Sequence, residues 1–376
     1  MLPNDILPKT IYPLSAMHRR DFLELSLASL AASAHPSSAD AAEIPKLREI
    51  ALSKSLFFGT AVSNSQLRDP DFTQLLLDQC SILVAENEMK WTATQPASDR
   101  FDFTKADFFM DFAESNHLLA RGHNLCWHQY NPAWLESVLT SQNAAAIFTN
   151  HIRTVVSRYK GRMHSWDVVN EAIRPEHKNH NDLTTSIWLT NIGEDYIDLA
   201  YRTAADADHN ALLTYNDFDI ESDSPSQQVK REAVLAMLHR LLKKGTPIHA
   251  LGVQAHLHAY QGTSTFNGFN KFLKAVEKLN LQVYVTELDV DDSLLPADIH
   301  ERDRLVAEFY KSFLENILRH SPVKAVLTWG LSDRDSWLQN FRPRKDALPQ
   351  RPLPFDAQLD PKPAFFALRD SLASKP

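Results

Sequence analysis

The chain of 376 residues has only two cysteines, Cys80 and Cys126, and no Cys-x-x-Cys pair. A thiolate zinc site or a dithiol redox motif is therefore unsupported. The element pattern below puts Cys80 just before the second strand and Cys126 near the end of the third, at opposite ends of a barrel. Two free thiols are expected, because a disulfide needs Cα atoms within about 7 Å. No apolar run reaches the length of about eighteen residues that a spanning helix needs, so no membrane span is expected. Basic blocks are also missing. With 39 Lys and Arg against 47 Asp and Glu, the formal charge is -8, and nucleic acid is not an expected partner. A mildly acidic chain suits an uncharged substrate. After residue 47 there is no linker rich in Pro, Gly or Ser, and no sign of a second domain.

What is present is an ordinary globular composition, 44% hydrophobic and 23% charged, with an atypical beginning. His18-Arg19-Arg20-Asp21-Phe22-Leu23 has the form of a twin-arginine export signal. A modestly apolar stretch, 25–34, follows and ends in Ala32-Ser33-Ala34, an A-x-A-like cleavage site interrupted upstream by Glu24. Residues 1–43 are read as a leader and signal segment, which implies the twin-arginine export machinery as a partner and a periplasmic or secreted location. Residues 44–376 are read as the functional domain, expected to be a monomer.

From residue 47 onward, strand-like and helix-like segments alternate. Candidate strands lie at 56–62, 82–85, 119–125, 164–169, 211–215, 248–254, 282–286 and 325–328. Helical patterns lie at 108–116, 144–159, 194–207, 229–244, 269–278 and 302–319, with a proline-dense loop at 343–363 and a closing helix at 364–372. Regular βα alternation predicts a parallel, closed (β/α)8 TIM barrel whose site lies at the C-terminal strand ends.

Two stretches share one form. Trp166-Asp167-Val168-Val169-Asn170-Glu171 and Val283-Tyr284-Val285-Thr286-Glu287 are apolar runs that end in a carboxylic acid. Two carboxylic acids at the mouth of one barrel are what glycoside hydrolysis requires: one protonates the leaving oxygen, the other attacks or stabilises the sugar carbon. The other strand ends agree. Glu86-Asn87-Glu88-Met89-Lys90-Trp91 follows the second strand, and the third runs through His123 to Trp127-His128. Asn216-Asp217 follows the fifth, Gln254-Ala255-His256 ends the sixth, and Trp329 ends the eighth with Trp337 soon after.

These residues resemble family 10 of the glycoside hydrolases, the xylanase family of retaining (β/α)8 enzymes, over roughly residues 47–372. The carriers are Glu86 to Trp91, Gly122-His123 with Trp127-His128 and Pro132-Ala133-Trp134, Trp166 to Ala172, Gln254-Ala255-His256-Leu257, Val285 to Asp289, and Trp329-Gly330-Leu331-Ser332-Asp333. The resemblance implies an endo-β-1,4-xylanase that needs no cofactor and acts on xylan or xylo-oligosaccharides. It implies Glu171 as acid/base and Glu287 as nucleophile, with His256 beside the nucleophile and Asn170 on the sugar 2-hydroxyl. Glu86, Asn87, Lys90, His123, Trp127 and Gln254 would bind sugars on the non-reducing side, and Trp329 and Trp337 would form an aromatic wall. Two departures stand out. Tyr130 occupies a position where family members often have Gln, and the His- and Asn-rich loop 174–183 is unlike common members.

Three alternatives remain open at this stage: a retaining β-1,4-glucanase on the same scaffold, a non-catalytic carbohydrate-binding barrel, and a metal-dependent hydrolase. The last rests on His256 and His258, which share one face of a strand but lack a supporting ligand motif. Asp217 and Asp289 are expected behind the reacting groups or in structural roles.

Overall fold

A computed structural model describes residues 44–261, 266–320 and 322–376; the expected leader and its twin-arginine motif lie outside the described residues. Eight parallel strands form the frame: β1 (Phe57–Val62), β2 (Ile82–Ala85), β3 (Leu119–Cys126), β4 (Ser165–Asn170), β5 (Leu212–Asp217), β6 (Ala250–Val253), β7 (Gln282–Asp291) and β8 (Val323–Thr328). Each pairs with its sequence neighbour, and β8 returns to β1 with Phe57 opposite Ala325 and Thr60 opposite Thr328, which closes the barrel. A three-residue strand, His256–His258, pairs with the far end of β7.

The strands read as nearly continuous apolar runs because both faces are covered, as in parallel barrels generally. Alternation sorts the side chains. Ile82 and Val84 join Ala61, Ala250, Tyr284, Ala325, Leu327 and Trp329 in the interior cluster. Leu83 and Ala85 belong to the larger core between barrel and helices. Gly122 on β3 is required by close approach: a Cβ there would lie 2.0 Å from the buried Trp166 ring on β4.

The helices expected from the sequence are present within a few residues of the predicted bounds, from Thr104–Ser115 to Pro363–Ala373. Six other α-helices among the described residues have no counterpart in the sequence pattern: Leu47–Ser53, Pro70–Gln79 and four short ones, Trp91–Thr94, Trp134–Val138, Ile187–Ile192 and Leu338–Phe341. Leu47–Ser53 is too short for a clear periodicity. Pro70–Gln79 opens on Asp69, whose carboxylate accepts from the amides of Asp71 and Phe72, with proline in the first turn; this is an ordinary N-terminal signature. Several strand ends also differ from expectation, β5 running to Asp217 among them. β6 stops at Val253 because Ala255 takes φ +62°, so Gln254 leaves the strand instead of ending it. β7 runs five residues beyond Thr286, with a register shift against β8 between Val285 and Leu288. Glu287 therefore sits on an irregularity inside a long strand, a device that re-aims a side chain. β8 begins two residues earlier than predicted. Cys80 and Cys126 are both buried and free. No helix among the described residues is long and apolar enough to cross a membrane.

Candidate active site

Asn170 is the last residue of β4, and Glu171 follows with φ +56°. A left-handed conformation costs a non-glycine residue roughly 1–2 kcal/mol, and neighbouring contacts hold it. The Glu171 amide donates to Asn216 O at 2.9 Å, and the Thr184 hydroxyl donates to Glu171 O at 2.8 Å. The Glu171 side chain accepts from Trp127 Nε1 at 2.8 Å, Gln254 Nε2 at 3.1 Å and Asn170 Nδ2 at 3.1 Å. Burial pushes Glu171 above the ordinary carboxylate range. The charges of Asp217 and Glu287 push the same way, and the bonds from Gln254 and Trp127 only partly oppose them.

Glu287 lies across the mouth in a different setting. Its carboxylate accepts from Asn216 Nδ2 at 2.7 Å and stands 3.1 Å from His256 Nε2. The other His256 nitrogen, Nδ1, lies 2.9 Å from Asp289, which also accepts from Trp337 Nε1 at 2.7 Å. Burial alone would lower the affinity of His256 for a proton, but the two carboxylates outweigh it and raise His256 well above its usual range. His256 is thus a cation donating through both nitrogens. Burial likewise tends to raise Glu287. The His256 bond, the nearby charges of His123 and His256, and the Asn216 bond overcome that tendency and hold it below the ordinary carboxylate range.

The two carboxyl groups are tied through two side-chain amides, Asn216 and Asn170. Asn216 Nδ2 donates to Glu287 and, at 2.8 Å, to Asn170 Oδ1, while Asn170 donates to Glu171. The Thr286 hydroxyl fixes the orientation of Asn216 by donating to its Oδ1 at 2.7 Å. Gly252 on β6 makes the space: a Cβ there would lie 2.3 Å from that same oxygen.

Around this centre the remaining expected residues take definite places. Lys90 Nζ donates to Asn87 Oδ1 at 2.8 Å, and its charge is felt with Glu86, Glu171 and Glu287. Burial lowers the Lys90 ammonium and raises Glu86, each partly offset by the other. Glu88 accepts from the amides of Asn64 and Asn87, holding the loop. His123 sits deeper than expected, 2% exposed, with Nδ1 3.0 Å from Asp167. Asp167 in turn pairs with Arg121, a buried pair on the inner face of the barrel that the sequence pattern did not single out. Trp329 meets His123 and His256 edge-on, and the Trp337 ring lies 5.0 Å from His256. The two departures also acquire structure. The Tyr130 ring stacks on Trp127 at 5.2 Å, and Lys90 Nζ lies 4.3 Å from its centre. In the 174–183 loop an Ile173–Leu183 bridge closes the base, and the Arg174 guanidinium lies 5.4 Å from the Phe218 ring centre.

Asp217 and Asp289 lie behind the reacting groups. Asp217 pairs with Lys230 at 2.8 Å, and Asp289 backs His256. His258 is 3.4 Å from Asp291, which also pairs with Arg342. Among the described residues no group of three or more His, Cys, Asp or Glu side chains is arranged to hold a metal ion. Asn216 bridges the two carboxyl groups through Asn170, a role that its place at a strand end does not signal.

A family model described as glycosyl hydrolase family 10 matches residues 46–371. The chain is 33% identical to endo-1,4-beta-xylanase B of Thermotoga neapolitana, across 90% of this chain and 94% of that one. Among solved structures, native xylanase 10B from Thermotoga maritima superposes with a TM-score of 0.80 at 33% identity, covering 88% of this chain and 98% of that one. Xylanase 10B from Thermotoga petrophila RKU-1 in complex with xylobiose gives a TM-score of 0.79 at 32% identity, covering 91% and 99%.

Proposed function

The chain belongs to glycosyl hydrolase family 10, and from that premise we propose that it is an endo-1,4-β-xylanase that cleaves xylan with net retention at the anomeric carbon. The named activities of the relatives and the xylobiose bound to one of them support the substrate. The observation that carries the mechanism is the opposite setting of two buried carboxyl groups joined through Asn170 and Asn216.

In this reading Glu287, kept ionised by His256 and Asn216, attacks the anomeric carbon. Glu171, kept protonated by burial, gives its proton to the departing oxygen, so the glycosidic bond breaks as the glycosyl-enzyme forms. Glu171 then takes a proton from water, and the hydroxide equivalent displaces Glu287. Asn170 spends its oxygen on Asn216 and one amide hydrogen on Glu171. Its second amide hydrogen is available to the sugar 2-hydroxyl, a bond that strengthens as the oxocarbenium-like state develops. Glu86, Asn87, Lys90, His123, Trp127 and Gln254 bind the non-reducing portion, Trp329 and Trp337 crowd the place of a hexose hydroxymethyl group, and Tyr130 adds a ring beside Trp127.

Digestion of β-1,4-xylan followed at once by proton NMR tests this. The β-anomer is expected first, with the α-anomer following by mutarotation; α-anomer first would overturn retention, and products from β-1,4-glucan alone would overturn the substrate. The proposal includes export through the leader at 1–43. Replacing Arg19 and Arg20 with Lys should retain the enzyme inside the cell; unchanged export would refute that part.

A further inference from the structure

Glu221 lies in the polar loop between β5 and the helix Pro225–Lys243, and it is 3% exposed. Its carboxylate accepts from two backbone amides, Ala255 at 2.9 Å and Ile220 at 2.8 Å. Ala255 is an unusual place for such an anchor. It carries a Cβ yet adopts φ +62°, and it separates the two residues that reach both reacting carboxyl groups. On one side, Gln254 donates to Glu171 and to Asn170 Oδ1. On the other, His256 stands against Glu287 and Asp289. The backbone on either side is tied as well: Gln254 N donates to Asp217 O, and Gln254 O accepts from Glu287 N. The left-handed turn at its centre is held from outside the barrel strands by Glu221.

We propose that Glu221 is a positioning residue for the glycosidase reaction, clamping the left-handed turn at Ala255 so that Gln254 and His256 address Glu171 and Glu287 together. The inference rests on the roles assigned to those two carboxyl groups above. Nothing in the sequence around it, Asp217-Phe218-Asp219-Ile220-Glu221-Ser222-Asp223, distinguishes it from a solvated acidic loop. The charged groups near Glu221 are Asp219 on its own loop and Arg231 on the following helix, whose Nη1 donates to Ile220 O at 3.1 Å. Burial, reinforced by Asp219, pushes Glu221 up to about 7. Each carboxylate oxygen accepts from a different backbone amide, so Glu221→Gln keeps the size of the side chain but removes one of the two acceptors.

The test is the pH profile of kcat/KM on xylo-oligosaccharides for wild type and Glu221→Gln, with thermal unfolding measured in parallel. Gln presents one acceptor oxygen where the carboxylate presents two. If the turn loosens, Glu171 loses the Gln254 bond that lowers its pKa, and Glu287 loses the His256 contacts that lower its own. Both limbs of the bell should then move to higher pH, and kcat should fall roughly ten- to a hundredfold with KM little changed, the size expected for a misplacement of about an ångström. A loss of activity with both limbs unmoved, or no loss, would overturn the proposal. Should Glu221→Gln fail to fold, Glu221→Asp, whose shorter side chain cannot span both amides, is read by the same criteria. Retention by wild type is measured on the same substrate; its failure would refute the underlying mechanism and not the clamp alone.

Discussion

At the mouth of β4, Glu171 accepts hydrogen bonds from three neutral groups, Trp127, Asn170 and Gln254. At the mouth of β7, Glu287 faces a cation, His256, which is held in that state by a second carboxylate, Asp289. Both acids are buried, and burial raises both. What separates them is the charge of their partners. Neutral donors leave burial dominant at Glu171, whereas a cationic donor reverses it at Glu287. Identical residue types at the ends of similar strands thus have their pKa values pushed in opposite directions by the residues facing them, which is how one fold runs acid and base chemistry at once.

The most severe way to break this pair is Glu287→Ala. Turnover should fall on the order of 10⁴-fold or more, on xylan and on activated aryl xylosides alike, because no nucleophile remains. Glu171→Ala should cost roughly 10²–10⁴-fold on xylan, the usual worth of a general acid. It should spare the first step on substrates with good leaving groups, giving a burst followed by slow hydrolysis. Ordinary xylan turnover by this variant would refute the acid/base assignment.

Two milder changes sharpen the comparison. Asp289→Asn removes the charge that keeps His256 cationic, so Glu287 should rise toward the ordinary range. Since Glu287 must be ionised to act, the acidic limb of the pH profile should move up, with kcat down roughly ten- to a hundredfold, less than the loss of a strong donor can cost. Trp127→Phe removes one neutral donor from Glu171, which then rises further. Because Glu171 must be protonated to act, the basic limb should move up while the acidic limb stays. The rate should change by about two- to fivefold, in line with the ~1 kcal/mol of one neutral hydrogen bond. Movement of the basic limb in Asp289→Asn, or of the acidic limb in Trp127→Phe, would contradict the assignment.

The barrel was legible because strands covered on both faces must be apolar throughout, so polar residues emerging at their ends stand out. That is why Glu171, Glu287, Lys90 and His256 could be named. The bridge at Asn216 was less legible. Its role depends on Gly252, on the next strand, leaving room for it, and on Thr286, a strand further on, turning its amide. Glu221 gave no local signal at all, since what matters is the left-handed turn it reaches in space. Boundaries failed where backbone geometry changes within an apolar run: at Ala255, and along β7, where the register shift lets the strand continue past Glu287. Pro70–Gln79 was signalled by Asp69-Pro70 and went unassigned.

In this mechanism the higher of the two catalytic titrations is governed by Glu171 and the lower by Glu287. Carbon NMR of side-chain-labelled glutamate, recorded across pH for wild type, Glu171→Gln and Glu287→Gln, measures this directly. Glu86 and Glu221 also titrate above the ordinary range and should do so in all three proteins; the two catalytic signals, one above and one below that range, are the ones a single substitution removes. The upper one should vanish in Glu171→Gln, and in Glu287→Gln it should persist but move down as the neighbouring charge is lost. An upper titration that vanishes in Glu287→Gln, or two carboxyls titrating together in the ordinary range, would contradict this mechanism.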